Sequence, residues 1–182
     1  MQYQVIRSGR RTMALEIRNG ELLVRVPWQA TRRDIENLLR EKSSWIEKHL
    51  RRSLEKQAEA DSVRPLNPEE LDMLARQAMD YIPERVRHYS AVLGVHPGKI
   101  TIRNQRTRWG SCSAKGNLNF NCILMLAPPE VIDSVIVHEL CHLKEMNHSE
   151  RFYREVLRIC PEYYKWHHWL KENQSSLMAR LG

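Results

Sequence analysis

Residues 138–142 read His-Glu-Leu-Cys-His, an H-E-x-x-H pattern, and a third histidine, His148, follows six residues later. On a helix His138 and His142 stand four residues apart, so both imidazoles leave the same face. Two nitrogens placed that way can grip one zinc ion. Glu139 lies on the adjoining strip, where it can accept a proton from an activated water instead of binding the metal. Composition alone yields this pattern roughly 0.03 times in such a chain, so chance is a poor explanation.

The surroundings predict how the motif is held. Val131, Ile132, Val135, Ile136, Val137, Leu140, Cys141 and Leu143 make the segment apolar nearly all round, which marks a buried helix. Two histidines and a glutamate inside it are costly unless paired, and a metal supplies the pairing. Other side chains are the alternative partners. Pro128-Pro129 opens this helix. Six residues of continuous helix would carry His148 about 240° round from His142, so the helix must stop near Glu145. Asn147 then lets the chain fold back, and Ser149 caps a helix from Glu150 to about Ile159. Pro161 begins a last helix with Trp166 and Trp169 as core anchors. His167 and His168 on it point about 100° apart and read as packing or surface residues.

Upstream, residues 99–103 and 117–126 read as strands, the second with Leu118, Phe120, Cys122 and Leu124 alternating on one face. Asn67-Pro68-Glu69-Glu70 starts a helix that ends at Gly94 and is bent or split at Pro83. Near the N-terminus, 3–7, 12–18 and 21–26 read as three strands of a β-meander, with Asn19-Gly20 as a hairpin turn. Thr31-Arg32-Arg33-Asp34 resembles a capping box, opening one long basic helix to about residue 60. Two domains are expected: 1–62, the meander plus long helix, and 63–182, which carries the motif.

Composition limits the readings. The chain has 182 residues, with 42% hydrophobic and 28% charged, enough for a real core. It holds no run of about 18 apolar residues and no apolar leader at residues 1–7, so neither a membrane span nor a secretory signal is expected. The four cysteines lack C-x-x-C spacing and read as reduced thiols, so the expected location is cytoplasmic. Net charge is +7, and residues 1–60 carry 13 Lys/Arg against 8 Asp/Glu. That basic third is either a solvated surface or a face for nucleic acid or another polyanion. A monomer is expected.

An ordered set of residues resembles the YgjP-like metallopeptidase domain family. It comprises Arg108-Trp109-Gly110-Ser111-Cys112, Gly116-x-Leu118, Asn121, Leu124, Pro128, Asp133, then 138–143, and Asn147-His148-Ser149-x-x-Phe152. The resemblance implies an α+β fold: a zincin-like metalloprotease core with the active-site helix packed on a small mixed or antiparallel sheet. It also implies zinc on His138, His142 and His148, with Glu139 as general base and acid. The family is distantly similar to SprT-like and WLM-type proteases. Ser134 and Tyr153 stand where members often have Tyr and Trp, and neither touches the proposed chemistry.

Three protein ligands leave a fourth position open, which marks a catalytic rather than a structural zinc site. The expected reaction is peptide or amide hydrolysis, and the resemblance to zincin-type proteases implies a peptide or protein substrate lying along an exposed strand, here 117–126. Trp109, Ser111, Asn119 and Asn121 are the candidates for lining that cleft; Trp109 reads equally as a core anchor, and Gly110-Ser111 as a tight turn. Asp133 and Glu145 are candidates for orienting a ligating imidazole. Two other readings stay open. One is a metal-dependent hydrolase of a nucleoside triphosphate, weakened by the lack of a Gly-rich phosphate loop. The other is a nucleic-acid-associated, SprT-like protease.

Overall fold

The computed structural model describes residues 2–18 and 20–181. The chain divides into two compact units, Met1–Ser62 and Val63–Gly182.

In the first unit the most apolar strand takes the middle of the sheet. Strands β1 (Gln4–Ser8), β2 (Ala14–Arg18) and β3 (Glu21–Pro27) lie in the order β1-β3-β2. β2 and β3 form an antiparallel pair closed at Arg18–Glu21, while β1 runs parallel to β3. This is not the expected meander, which would have put β2 in the centre. Leu22, Leu23, Val24 and Val26 of β3 are buried, and β1 is largely exposed. Giving β3 two ladder partners buries the strand with most to gain. Of the hairpin turn, Asn19 lies outside the described residues; Gly20 has φ 75°, a left-handed conformation suited to glycine.

Thr31 caps the next helix with the full reciprocal box to Asp34. The expected single helix is two, α1 (Arg32–Glu41) and α2 (Ser43–Asp61), broken at Lys42. Ser43-Ser44 is a weak helix interior, since serine competes for backbone hydrogen bonds. Ile35 and Ile46, one from each helix, are buried with Leu22, Val24 and Val26.

The second unit is built around the motif helix. Helix α3 (Pro68–Leu93) starts with Asn67 and Glu70 in a capping box and Pro68 in its first turn, and ends at Gly94 with φ 67°. Pro83 does not split it; the helix runs through as one element of 26 residues. Strands β4 (Ile100–Arg103), β5 (Gly110–Cys112) and β6 (Leu118–Asn121) follow in the order β4-β6-β5, β4 parallel and β5 antiparallel to β6. The expected strand over 117–126 is therefore only four residues long. The Asn121 side chain accepts from Ile123 N, and Cys122–Leu126 turns into a 3-10 helix. β6 is also the central strand, so it offers no free edge; β5 does.

Helix α4 (Pro129–Cys141) carries the motif and is buried over Val131, Ile132, Val135, Ile136, Val137, Leu140 and Cys141. It contacts α3, β5, α5 (Glu150–Ile159) and α6 (Tyr163–Ala179). Trp166 and Trp169 are half-buried against the same core. This is the expected α+β arrangement, a buried H-E-x-x-H helix on a small mixed sheet. Among the described residues no helix is long and apolar enough to cross a membrane.

Asp133 does not orient an imidazole. Arg85 of α3 donates to both its oxygens at 2.8 and 2.5 Å, and the Tyr89 hydroxyl donates at 2.9 Å. This fork clamps α3 to α4. Asp133→Ala leaves the guanidinium without its acceptor and is expected to cost about 2–3 kcal/mol in urea unfolding. A loss below about 0.5 kcal/mol, the range of ordinary surface changes, would show the clamp to be idle.

Candidate metal centre

The last turn of α4 presents His138 and His142, and the chain then turns back. The α-helix ends at Cys141, four residues earlier than expected, and a short turn carries it to Lys144. Lys144 pairs with Glu155 of α5 at 2.9 Å, tying the turn to the returning helix. Ser149 caps α5 by accepting from Phe152 N. His148 thus arrives beside α4, with its Nε2 3.1 Å from His138 Nε2. One nitrogen from each of the three imidazoles lies within 4.8 Å of the others.

The ring orientations follow from the hydrogen bonds on the far nitrogens. The Glu145 carbonyl can only accept, so at 3.3 Å it fixes a proton on His142 Nδ1 and leaves Nε2 with its lone pair. His138 Nδ1 is 2.8 Å from the Tyr163 hydroxyl, so its Nε2 is turned towards His148. Glu145 therefore contributes through its backbone, not its carboxylate. Phe152, fully buried, sets its ring 4.9, 4.6 and 4.8 Å from His138, His142 and His148. Burial, then the neighbouring His142 and His148, push His138 down to about 3, and burial also lowers His142. Both imidazoles are neutral at pH 7, the form that binds a metal.

The donor set fits a divalent ion. Nitrogens sharing one tetrahedral zinc at about 2.0–2.1 Å stand roughly 3.3 Å apart, close to the His138–His148 separation. Imidazole ligands suit zinc among the common biological metals.

Glu139 is 6% exposed and lies outside the trio. Burial pushes its carboxyl up to about 7, against the pull of Arg108 and of the Cys112 backbone N–H. It packs against the start of β5, where a Cβ on Gly110 would stand 2.8 Å from both its Cγ and its Oε1. Gly110→Ala therefore forces the catalytic-candidate carboxylate to move. The overpacking is expected to cost about 1–3 kcal/mol in thermal unfolding, and an unshifted melting curve would show that the site yields freely.

The remaining sequence candidates divide. Trp109 lines a cavity of about 210 Å³ next to Glu139, together with Arg108 and His167. Ser111, Asn119 and Asn121 do not line it. Asn119 donates to Ser111 Oγ at 3.2 Å and accepts from Arg103 Nε at 2.9 Å, a bridge across three strands. Asn121, 1% exposed, donates to the carbonyls of Gln105 and Arg108 and holds the loop before β5. Asn119 and Asn121 on the central strand β6 are engaged by their neighbours, while Ser111 stands on the edge strand β5. His167 was expected to be packing or surface; it is exposed, yet faces the cavity and stacks on Tyr163 at 5.6 Å. Tyr163 and Arg108 carry no spacing signal, being 25 residues after and 30 before His138. Cys141 is no nucleophile, since burial pushes its thiol up to about 12. All four cysteines are free thiols.

A sequence model of the YgjP-like metallopeptidase domain matches residues 11–73 and 70–173, most of the chain. The chain belongs to the YgjP-like metallopeptidase domain family. A curated protein similar to this YgjP-like chain is the UTP pyrophosphatase of Escherichia coli strain K12, 32% identical over 60 residues. The match covers 33% of this chain and 36% of that protein, so the chain spans about a third of the length of the curated relative it matches. Among solved structures, the metallopeptidase zymogen abylysin of Pyrococcus abyssi is similar at 25% identity and a TM-score of 0.47, covering 51% of this chain and 95% of that one. The zymogen jannalysin of Methanocaldococcus jannaschii follows at 23% and 0.43, covering 48% and 94%. A YgjP-like domain with a three-histidine group able to hold a metal is a candidate metal-dependent hydrolase.

Proposed function

We propose that this chain is a zinc-dependent metallopeptidase in which His138, His142 and His148 hold the ion and Glu139 is the general base. The observation that carries the reading is the convergence of three imidazole nitrogens beside a buried carboxylate that is not among them. Bound by those three imidazoles, a divalent ion would supply a water of pKa about 7 and a Lewis acid for a carbonyl oxygen. Glu139, whose carboxyl sits near neutrality, accepts the proton of the attacking water and returns it to the leaving amine. The His142–Glu145 and His138–Tyr163 hydrogen bonds hold the two ring planes through that exchange. β5 supports a peptide substrate. Its one strand partner is β6, so an extended peptide can add along its open edge by main-chain hydrogen bonds, next to Glu139, which accepts from the Cys112 N–H.

A second reading has its own support. The partial likeness to a UTP pyrophosphatase favours a nucleoside triphosphate, and Arg106 and Arg108 lie in the loop between β4 and β5, with Arg108 lining the cavity. One screen separates the two. The zinc-loaded protein is offered unstructured peptides and nucleoside triphosphates, with Glu139→Gln as the control. Peptide cleavage absent from the control supports the first reading. Pyrophosphate release alone replaces it with the second.

A further inference from the structure

A second hollow lies between the C-terminal half of α3 and the segment that leads from Gly94 into β4. Its volume is about 540 Å³, and it shares no lining residue with the cavity beside Glu139. Helical spacing brings Val86, Arg87 and Ser90 onto one face of α3, and Val95, Pro97 and Ile100 complete the lining from beyond Gly94. Ser90 is only 8% exposed, yet its Oγ has no hydrogen-bond partner. A helical serine can return its hydroxyl to the carbonyl four residues back, here that of Val86, and this one does not. A buried hydroxyl is costly without a partner, and one that lines a hollow can be satisfied by what binds there.

Charge narrows the ligand. Arg87 and His96 line the same hollow, both exposed, and no acidic residue does. Neither has a hydrogen bond or ion pair among the described residues. A free guanidinium presents a planar fork that fits a carboxylate through two parallel hydrogen bonds. The volume falls within the range of about 300–1,000 Å³ that holds a small organic ligand. A compact inorganic anion would leave the apolar walls uncovered. We infer that this hollow binds a small organic carboxylate with a ring-bearing apolar body. The carboxylate pairs with Arg87 beside His96, the body lies against Val86, Val95, Pro97 and Ile100, and a polar atom of the ligand meets the Ser90 hydroxyl.

The test titrates the full zinc-loaded chain, isotope-labelled for amide spectra, with naphthylacetate. Acetate supplies the charge without the ring, and naphthylacetamide the ring without the charge. The amides of Arg87, Ser90, Gly94 and His96 should move with naphthylacetate, at a dissociation constant of about 1 mM or lower, an ordinary affinity for a ligand of that size. Acetate and the acetamide should each bind at least about tenfold more weakly, one lacking the apolar burial and the other the charged pair. Arg87→Ala should erase the preference for the acid over the acetamide. Ser90→Ala should raise the melting temperature of the free protein, because an unpaired buried hydroxyl is removed, and weaken naphthylacetate about fivefold. Equal binding of acid and acetamide overturns the inference, as does a preference that survives Arg87→Ala. Shifts confined to the surroundings of His138, His142 and His148 place the carboxylate at the metal centre and overturn it too. A Ser90→Ala protein that melts lower and binds as well as wild type makes the hydroxyl part of the fold, and the absence of any shift at millimolar ligand leaves it to solvent; either result overturns the site.

Discussion

Replacing Glu139 with Gln is expected to remove hydrolysis by a factor of about 10²–10⁴ while the metal stays bound. General-base catalysis is worth that range. The substitution conserves shape and keeps an oxygen for the Cys112 N–H, so nothing else in the site need move. Glutamine cannot accept the proton. Folding should not suffer, because a neutral amide is easier to bury than a carboxylate that burial already drives towards its neutral form. Turnover and metal content are measured on the same sample. A variant that keeps more than a tenth of wild-type turnover would strip Glu139 of the base role. A variant that loses its metal would mean that the carboxylate belongs to the ligand set.

His148→Ala should separate metal binding from folding. His148 is exposed and lies between helices, so truncating it leaves the packing of α4 intact. Structural zinc sites with four ligands bind with about 10–16 kcal/mol, about 3–4 kcal/mol for each ligand, so losing one should weaken affinity roughly 10²–10³-fold. Competition with a coloured chelator reads that shift. Unfolding of the metal-free protein should change by less than about 0.5 kcal/mol. Unchanged chelator competition would remove His148 from the site, and a large loss of apo stability would recast it as a packing residue.

How much was legible in the sequence follows the range of the interactions. The motif helix, the turn that brings His148 back and the caps at Thr31, Asn67 and Ser149 depend on neighbours a few residues away, and all are present. Strand order is non-local. Alternation marks a strand without naming its partner, so β3 and β6 took central places that the periodicity of 12–18 and 117–126 does not reveal. Asn121 reads like a cleft residue from its position, but it is consumed by carbonyls of Gln105 and Arg108, contacts that exist only once the loop has closed over it. Tyr163, Arg108 and His167 meet the motif through the packing of α6 and β5 on α4, which no spacing rule reaches.

Phe152 touches all three imidazoles, and that has a consequence for assembly. Two of the histidines are delivered by α4 and its C-cap, but the third rides on the segment that α5 anchors, and the phenyl ring packs against all three. An ion bound by all three would act as a non-covalent staple across residues 138–148, and occupancy would be coupled to docking of α5. Loaded protein should then hold this corner shut against proteases, and stripped protein should open there first, with the scissile sites falling between 143 and 149.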